Sequence, residues 1–124
     1  MKSRLSIGKI GQAALSEHAV IVHLPLQGGH FGGEDEQETV RALERRIEAA
    51  LETRGVGELD GDEFGGDEVV LYAYGPDADV LFGVIEPLVR ESSLLPASAI
   101  LRYGDVDDSS ARARRVEIKN ESAT

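Results

Sequence analysis

The chain contains no cysteine. That excludes disulfide staples, zinc–thiolate sites and thiol nucleophiles, and it fits a reducing compartment. Basic residues are scarce as well: 13 Lys and Arg stand against 23 Asp and Glu, for a net charge of −10 and a pI near 4.7. Such a surface repels phosphate backbones and anionic lipid. The charge therefore argues against nucleic acid and membrane as partners, and a basic protein is the better match. No apolar run approaches the ~20 residues that span a bilayer. The stretch MKSRLSIGKIGQAAL has basic residues but no continuous apolar segment of a secretory signal. A cytoplasmic protein is expected. No internal repeat is evident.

What is present fits one domain of 124 residues, long enough to bury roughly two-thirds of its unfolded surface. Residues 1–3 and 120–124 are expected to fray. Arg4 to Ile10 alternates only loosely and reads as a peripheral strand or an arm. His18 to Leu26 is the first clear strand, with Val20, Val22, Leu24 and Leu26 opposite Ala19, Ile21, His23 and Pro25. Pro25 has no ladder donor, so pairing should weaken there. His23 is a candidate ligand or base, and equally a hydrogen-bonded structural histidine.

The Gly-rich run QGGHFGG, Gln27 to Gly33, lets backbone approach a ligand closely and carries His30 and Phe31 at its tip as possible contacts. It also reads simply as a strand-to-helix connection. It lacks the Lys-Ser/Thr of a phosphate loop and the GxGxxG spacing, so no cofactor is expected. Glu34 to Arg54 follows as the longest helix. Val40, Leu43, Ile47, Ala50 and Leu51 form its buried stripe, and Arg41–Glu44 and Arg45–Glu48 pair on its outer surface. Its acidic start is first a capping preference and second a partner site. Gly55 supplies the stop.

Val56 to Leu59 reads as a short strand entering an acidic loop, Asp60 to Gly66, longer than two residues and anchored by Phe64. Asp60, Asp62, Gly65 and Glu68 fall at positions 1, 3, 6 and 9 of an EF-hand register. Position 12 is Leu71 where a bidentate Glu is required, and strands flank the loop. Asp60, Asp62 and Glu68 are thus weak metal candidates, and a solvated turn is the ordinary fate of such residues; no metal is expected.

Val69 to Tyr74 is a central strand, apolar on both faces, with Val70, Tyr72 and Tyr74 on one side and Val69, Leu71 and Ala73 on the other. Pro76 suits the first position of a second helix, with Asp77 and Asp79 at its dipole's positive end. Val80, Leu81, Val84, Ile85 and Leu88 form its stripe. Pro87 predicts a kink or break at Glu86–Pro87 and an exit near Glu91. Ala99 to Tyr103 is the fourth strand. After the acidic turn Gly104 to Ser110, Arg112 to Lys119 forms one more, with Val116 and Ile118 on one face; its arginines pair with neighbouring carboxylates.

The order strand, helix, strand, strand, helix, strand with short connections predicts an α+β fold: a ferredoxin-like βαββαβ sandwich, antiparallel, with both helices on one face and an extra C-terminal strand. One sheet face is then open, and Tyr72 and Tyr74, with His23, are assigned to it. The segment GELDGDEFGGDEVVLYAYGPDADVLF resembles small bacterial ferredoxin-like proteins and, more faintly, regulators that inhibit ribonuclease E. The resemblance covers about a fifth of the chain. It implies the fold class and carries no functional residue over.

Three functions follow as expectations. The first is a non-catalytic binding or regulatory module that uses the open face for a protein partner or for homodimerisation. The second is an acidic immunity-type inhibitor masking a basic toxin or nuclease. The third is a small enzyme using His23 and Tyr72, for which no residue orients a nucleophile against a base.

Overall fold

Seven elements follow one another along the chain in a computed structural model that describes residues 17–119. They are β1 (His18–Pro25), α1 (Glu34–Arg54), β2 (Glu58–Gly65), β3 (Glu68–Gly75), α2 (Ala78–Glu91), β4 (Ala97–Arg102) and β5 (Ala113–Ile118). The expected N-terminal strand or arm and the two frayed ends, 1–3 and 120–124, lie outside the described residues. The strands form one antiparallel sheet in the order β2-β3-β1-β4-β5. The chain is α+β, and the extra C-terminal strand pairs with β4.

One sheet face makes the core with both helices. Val20, Val22 and Leu24 of β1, Val69, Leu71 and Ala73 of β3, and Ala97, Ala99 and Leu101 of β4 meet Val40, Leu43, Ile47 and Leu51 of α1 and Ala78, Leu81, Ile85 and Val89 of α2. Period-two alternation in the strands and 3.6-residue spacing in the helices put these side chains on facing surfaces. Ile118 of β5 closes the same core. Ala50 stands at the margin of the α1 stripe, half-buried. β1 pairs with β4 only from Ala19 to His23, so that ladder stops short of Pro25, whose ring has no N–H to give.

Several local expectations are corrected. The acidic stretch is not a loop: Asp60 to Gly65 belong to β2, with the ladder irregular between Leu59 and Gly61. The reversal needs only Gly66 and Asp67, at φ 62° and 67°. Two successive positive φ angles match a hairpin to the right-handed twist of its strands, and Gly and Asp tolerate them. Phe64 therefore packs on the core from a strand, opposite Val69, rather than beneath a loop.

Pro76 precedes α2, and Asp77 is its cap, with Oδ1 accepting from the Asp79 and Val80 amides at 3.0 and 3.2 Å. The helix then runs through Pro87 to Glu91 without a break. The carbonyl four residues back belongs to Gly83, which is exposed and meets no neighbour, so the helix can absorb the ring locally. Val80, expected in the apolar stripe, is exposed at 44 %, and Ala78 and Val89 take the buried positions instead.

α1 keeps its expected ends. Gly55 closes it at φ 64°, and Glu36 seals its start by accepting from the amides of Gln27, Gly28 and Gly33 at 2.7, 2.9 and 3.2 Å. Those three bonds hold its carboxyl below the usual carboxylate range. Glu44 interacts with Arg41 as expected but is half-buried and also meets Asp62 of β2. Arg45 pairs with Glu38 and Arg46 with Glu91.

Candidate functional site

The residues that alternate away from the core define the other sheet face. Strand register arranges them in rows. Gly61, Tyr72, Ile21, Ile100 and Arg115 stand side by side from β2 to β5. The next row reads Glu63, Val70, His23, Ser98 and Glu117, and the row on the opposite side reads Glu58, Tyr74, Ala19, Arg102 and Ala113. Tyr72, Tyr74 and His23 are thus brought onto one face, opposite the helices. Ile21, Val70 and Ile100 make its apolar centre, all half-buried.

Two hydrogen bonds fix the polar groups of that face. The Tyr72 hydroxyl donates to Glu63 Oε1 at 2.6 Å. This bond, partial burial and the charge of Glu63 push its pKa up to about 12, because each disfavours a phenolate beside a carboxylate. His23 Nδ1 lies 3.3 Å from Glu68 Oε2, with the two side chains 30 % and 43 % exposed. His23 is therefore a partnered side chain at the edge of an apolar patch. Charge is uneven across the face: Glu58, Glu63 and Glu68 line the β2–β3 side, while Arg102, Arg115 and Glu117 stand on the β4–β5 side. Arg115 Nε donates to Glu117 Oε2 at 2.7 Å, and Arg102 Nε to the Gly104 carbonyl at 2.7 Å.

His30 and Phe31 do not join these rows. They sit exposed on the loop leaving β1, Phe31 at 61 %, with their rings 6.1 Å apart. The loop is tied down on two sides. The Asp67 amide donates to the His30 carbonyl at 3.2 Å, and Gln37 Nε2 donates to the Phe31 carbonyl at 2.9 Å. Asp60, Asp62 and Glu68 do not converge either. Asp62 lies opposite Leu71 on the core side and meets Glu44, whereas Glu68 meets His23 on the far face. Strand alternation separates them, and the EF-hand register has no loop to occupy. Among the described residues no cluster of three or more His, Asp or Glu is arranged to hold a metal, and no described helix is long and apolar enough to cross a membrane.

Two groupings escaped the sequence. Glu63 and Glu68 read as turn carboxylates, and only their register against Val70 and Gly65 puts them beside Tyr72 and His23. The other gathers at the start of α2. His18 Nδ1 accepts from the Ala78 amide at 3.0 Å and its ring meets Tyr103 edge-on at 5.8 Å. The Tyr103 hydroxyl donates to Asp79 at 2.7 Å and accepts from Arg114 Nε at 3.2 Å. These residues come from four elements or their flanks, so no local pattern announces them. They pin β1, β4 and β5 to the helix.

Comparison of the chain with protein-family models, with curated proteins and with solved structures gives no match.

Proposed function

We propose that this chain is a non-catalytic binding module of ferredoxin-like architecture, related to the small proteins its central segment resembles, whose working surface is the helix-free face of the sheet. The strand order β2-β3-β1-β4, with β5 added outside, supports the architecture. The observation that carries the function is the composition of the face: an apolar centre of Ile21, Val70 and Ile100, two tyrosines beside it, and charged residues at its two edges. Interfaces of soluble proteins combine such an aromatic and aliphatic centre with a charged rim.

The catalytic alternative has less support. A general acid or base works best with a pKa near the ambient pH, whereas the Tyr72 hydroxyl is pushed up to about 12. The immunity-type alternative rests on net charge alone, with no second feature of the face to favour it.

The test is site-specific photo-crosslinking in the native cell. A photoreactive phenylalanine at position 72 is expected to form an adduct with protein, whether this chain or another. The same group at Glu52, exposed on α1, is expected to form none. Absence of any adduct from position 72 removes the proposal.

A further inference from the structure

We infer that His18 is a pH-sensitive latch on α2: it holds the first turn while its imidazole is neutral and releases that turn when the ring takes up a proton. The latch stands apart from the helix-free face and uses none of that face's residues.

The first amides of a helix have no carbonyl partner within it. In α2, Asp79 and Val80 give theirs to Asp77 Oδ1. The Ala78 amide is left to His18, and it donates to Nδ1 at 3.0 Å. Ala78 itself is fully buried, which leaves water little access there. An amide can only donate, so Nδ1 must offer its lone pair and the ring proton sits on Nε2. In an imidazolium both nitrogens carry hydrogen, and this bond is lost. The charged ring then also faces the positive end of the helix dipole, which repels it. Imidazole is the ordinary side chain that changes charge between about pH 5 and 8. The signal that opens the latch is therefore acidification.

The charged groups around His18 do not replace the lost bond, because each is engaged elsewhere. On α2, Asp77 serves two amides, while Asp79 accepts from the Tyr103 hydroxyl at 2.7 Å and lies 3.5 Å from Arg114 of β5. After β4, the Tyr103 ring meets His18 edge-on and carries the Arg112 guanidinium 5.9 Å from its centre. Asp105 accepts from the amide of Glu17, next to His18, at 2.6 Å. On β3 the residue opposite His18 is Gly75, which has no side chain to offer. Opening the first turn also draws Asp79 away from Tyr103 and Arg114, so the tie between α2 and the β4–β5 end loosens with it.

The test follows the backbone amides of the full chain by hydrogen exchange and proton–nitrogen correlation spectra from about pH 8 to about pH 5, with rates corrected for intrinsic pH dependence. Protection at residues 78–80 of the parent is expected to fall roughly tenfold, from one lost hydrogen bond and the dipole repulsion, while α1 keeps its protection. His18→Asn sets a carboxamide oxygen near the Nδ1 position and does not titrate, so its protection there is expected to stay level. His23 and His30 remain in both proteins and cannot account for the difference. Parent protection that stays level at residues 78–80 overturns the inference. So does an equal fall in His18→Asn, or a fall that α1 shares. Should the variant unfold, the parent alone decides: the His18 Nδ1 resonance and the Ala78 amide are expected to move with one midpoint, and separate midpoints overturn the latch.

Discussion

Glu44 of α1 stands beside Asp62 of β2, carboxyl against carboxyl, where the helix meets the sheet. Burial first, then the neighbouring Asp62 carboxyl and the charge of Glu48, raise the Glu44 pKa to about 8, and its Oε2 is buried with no hydrogen-bond partner. Glu44 therefore keeps its proton at neutral pH, where a carboxyl in water would have lost it.

The sign of the consequence follows from linkage. The folded chain holds this proton up to about pH 8, whereas the unfolded chain loses it near the ordinary carboxyl value of 4.5. The stabilisation is complete below pH 4.5 and is lost as pH rises towards 8. Glu44→Gln keeps a donor and carries no charge, so its stability relative to the parent should climb across that window. The expected gain at pH 8–9 is roughly 1–3 kcal/mol, allowing for partial exposure. Urea unfolding at pH 5 and pH 9 measures it, and an equal difference at both values refutes the retained proton.

Tyr72→Phe removes the hydroxyl that donates to Glu63. The expected cost is about 1 kcal/mol at neutral pH. The Tyr72 pKa is raised from 10.0 to about 12, so this stabilisation is present below pH 10 and lost as pH rises through 12. An ultraviolet titration of tyrosine ionisation should lose its highest-pH step in the variant. A step that survives assigns the late ionisation to another tyrosine.

Gly57→Ala and Gly83→Ala should move stability in opposite directions. A Cβ at Gly57 would stand 2.4 Å from the Tyr74 carbonyl oxygen and 2.6 Å from Leu81 Cδ2. Backbone must shift, at an expected cost of about 2 kcal/mol or more. Gly83 lies in α2 with nothing within 4 Å of a new Cβ. Alanine there should stabilise by about 0.5–1 kcal/mol through helix propensity. Thermal unfolding of the pair checks both signs.

Asp77→Ala and His18→Ala probe the start of α2 from two sides. Asp77 accepts from two amides of the first turn and His18 from a third, that of Ala78. Each loss should cost about 1 kcal/mol. Both should raise amide exchange at residues 78–80, whereas α1 keeps its protection. Unchanged exchange at the first turn of α2 argues that water replaces either acceptor freely.

The sequence by itself determined the elements and their inward faces. Alternation in HAVIVHLP and VVLYAY, the stripe Val40, Leu43, Ile47 and Leu51, and the stop at Gly55 all depend on neighbours within a few residues, and local periodicity reports such neighbours directly. The same periodicity put Tyr72, Tyr74 and His23 on the face away from the core. Tertiary structure alone decided where the carboxylates went. Asp60 to Gly65 read as a turn because Gly and Asp disfavour strands, yet pairing along β3 draws them into the sheet, where the ladder hydrogen bonds outweigh propensity. That pairing sends Asp62 to Glu44 and Glu63 to Tyr72, neighbours in space whose separation along the chain no spacing rule spans. The placing of charged side chains on the helix-free face arises in the same way, from which strands become the edges of the sheet.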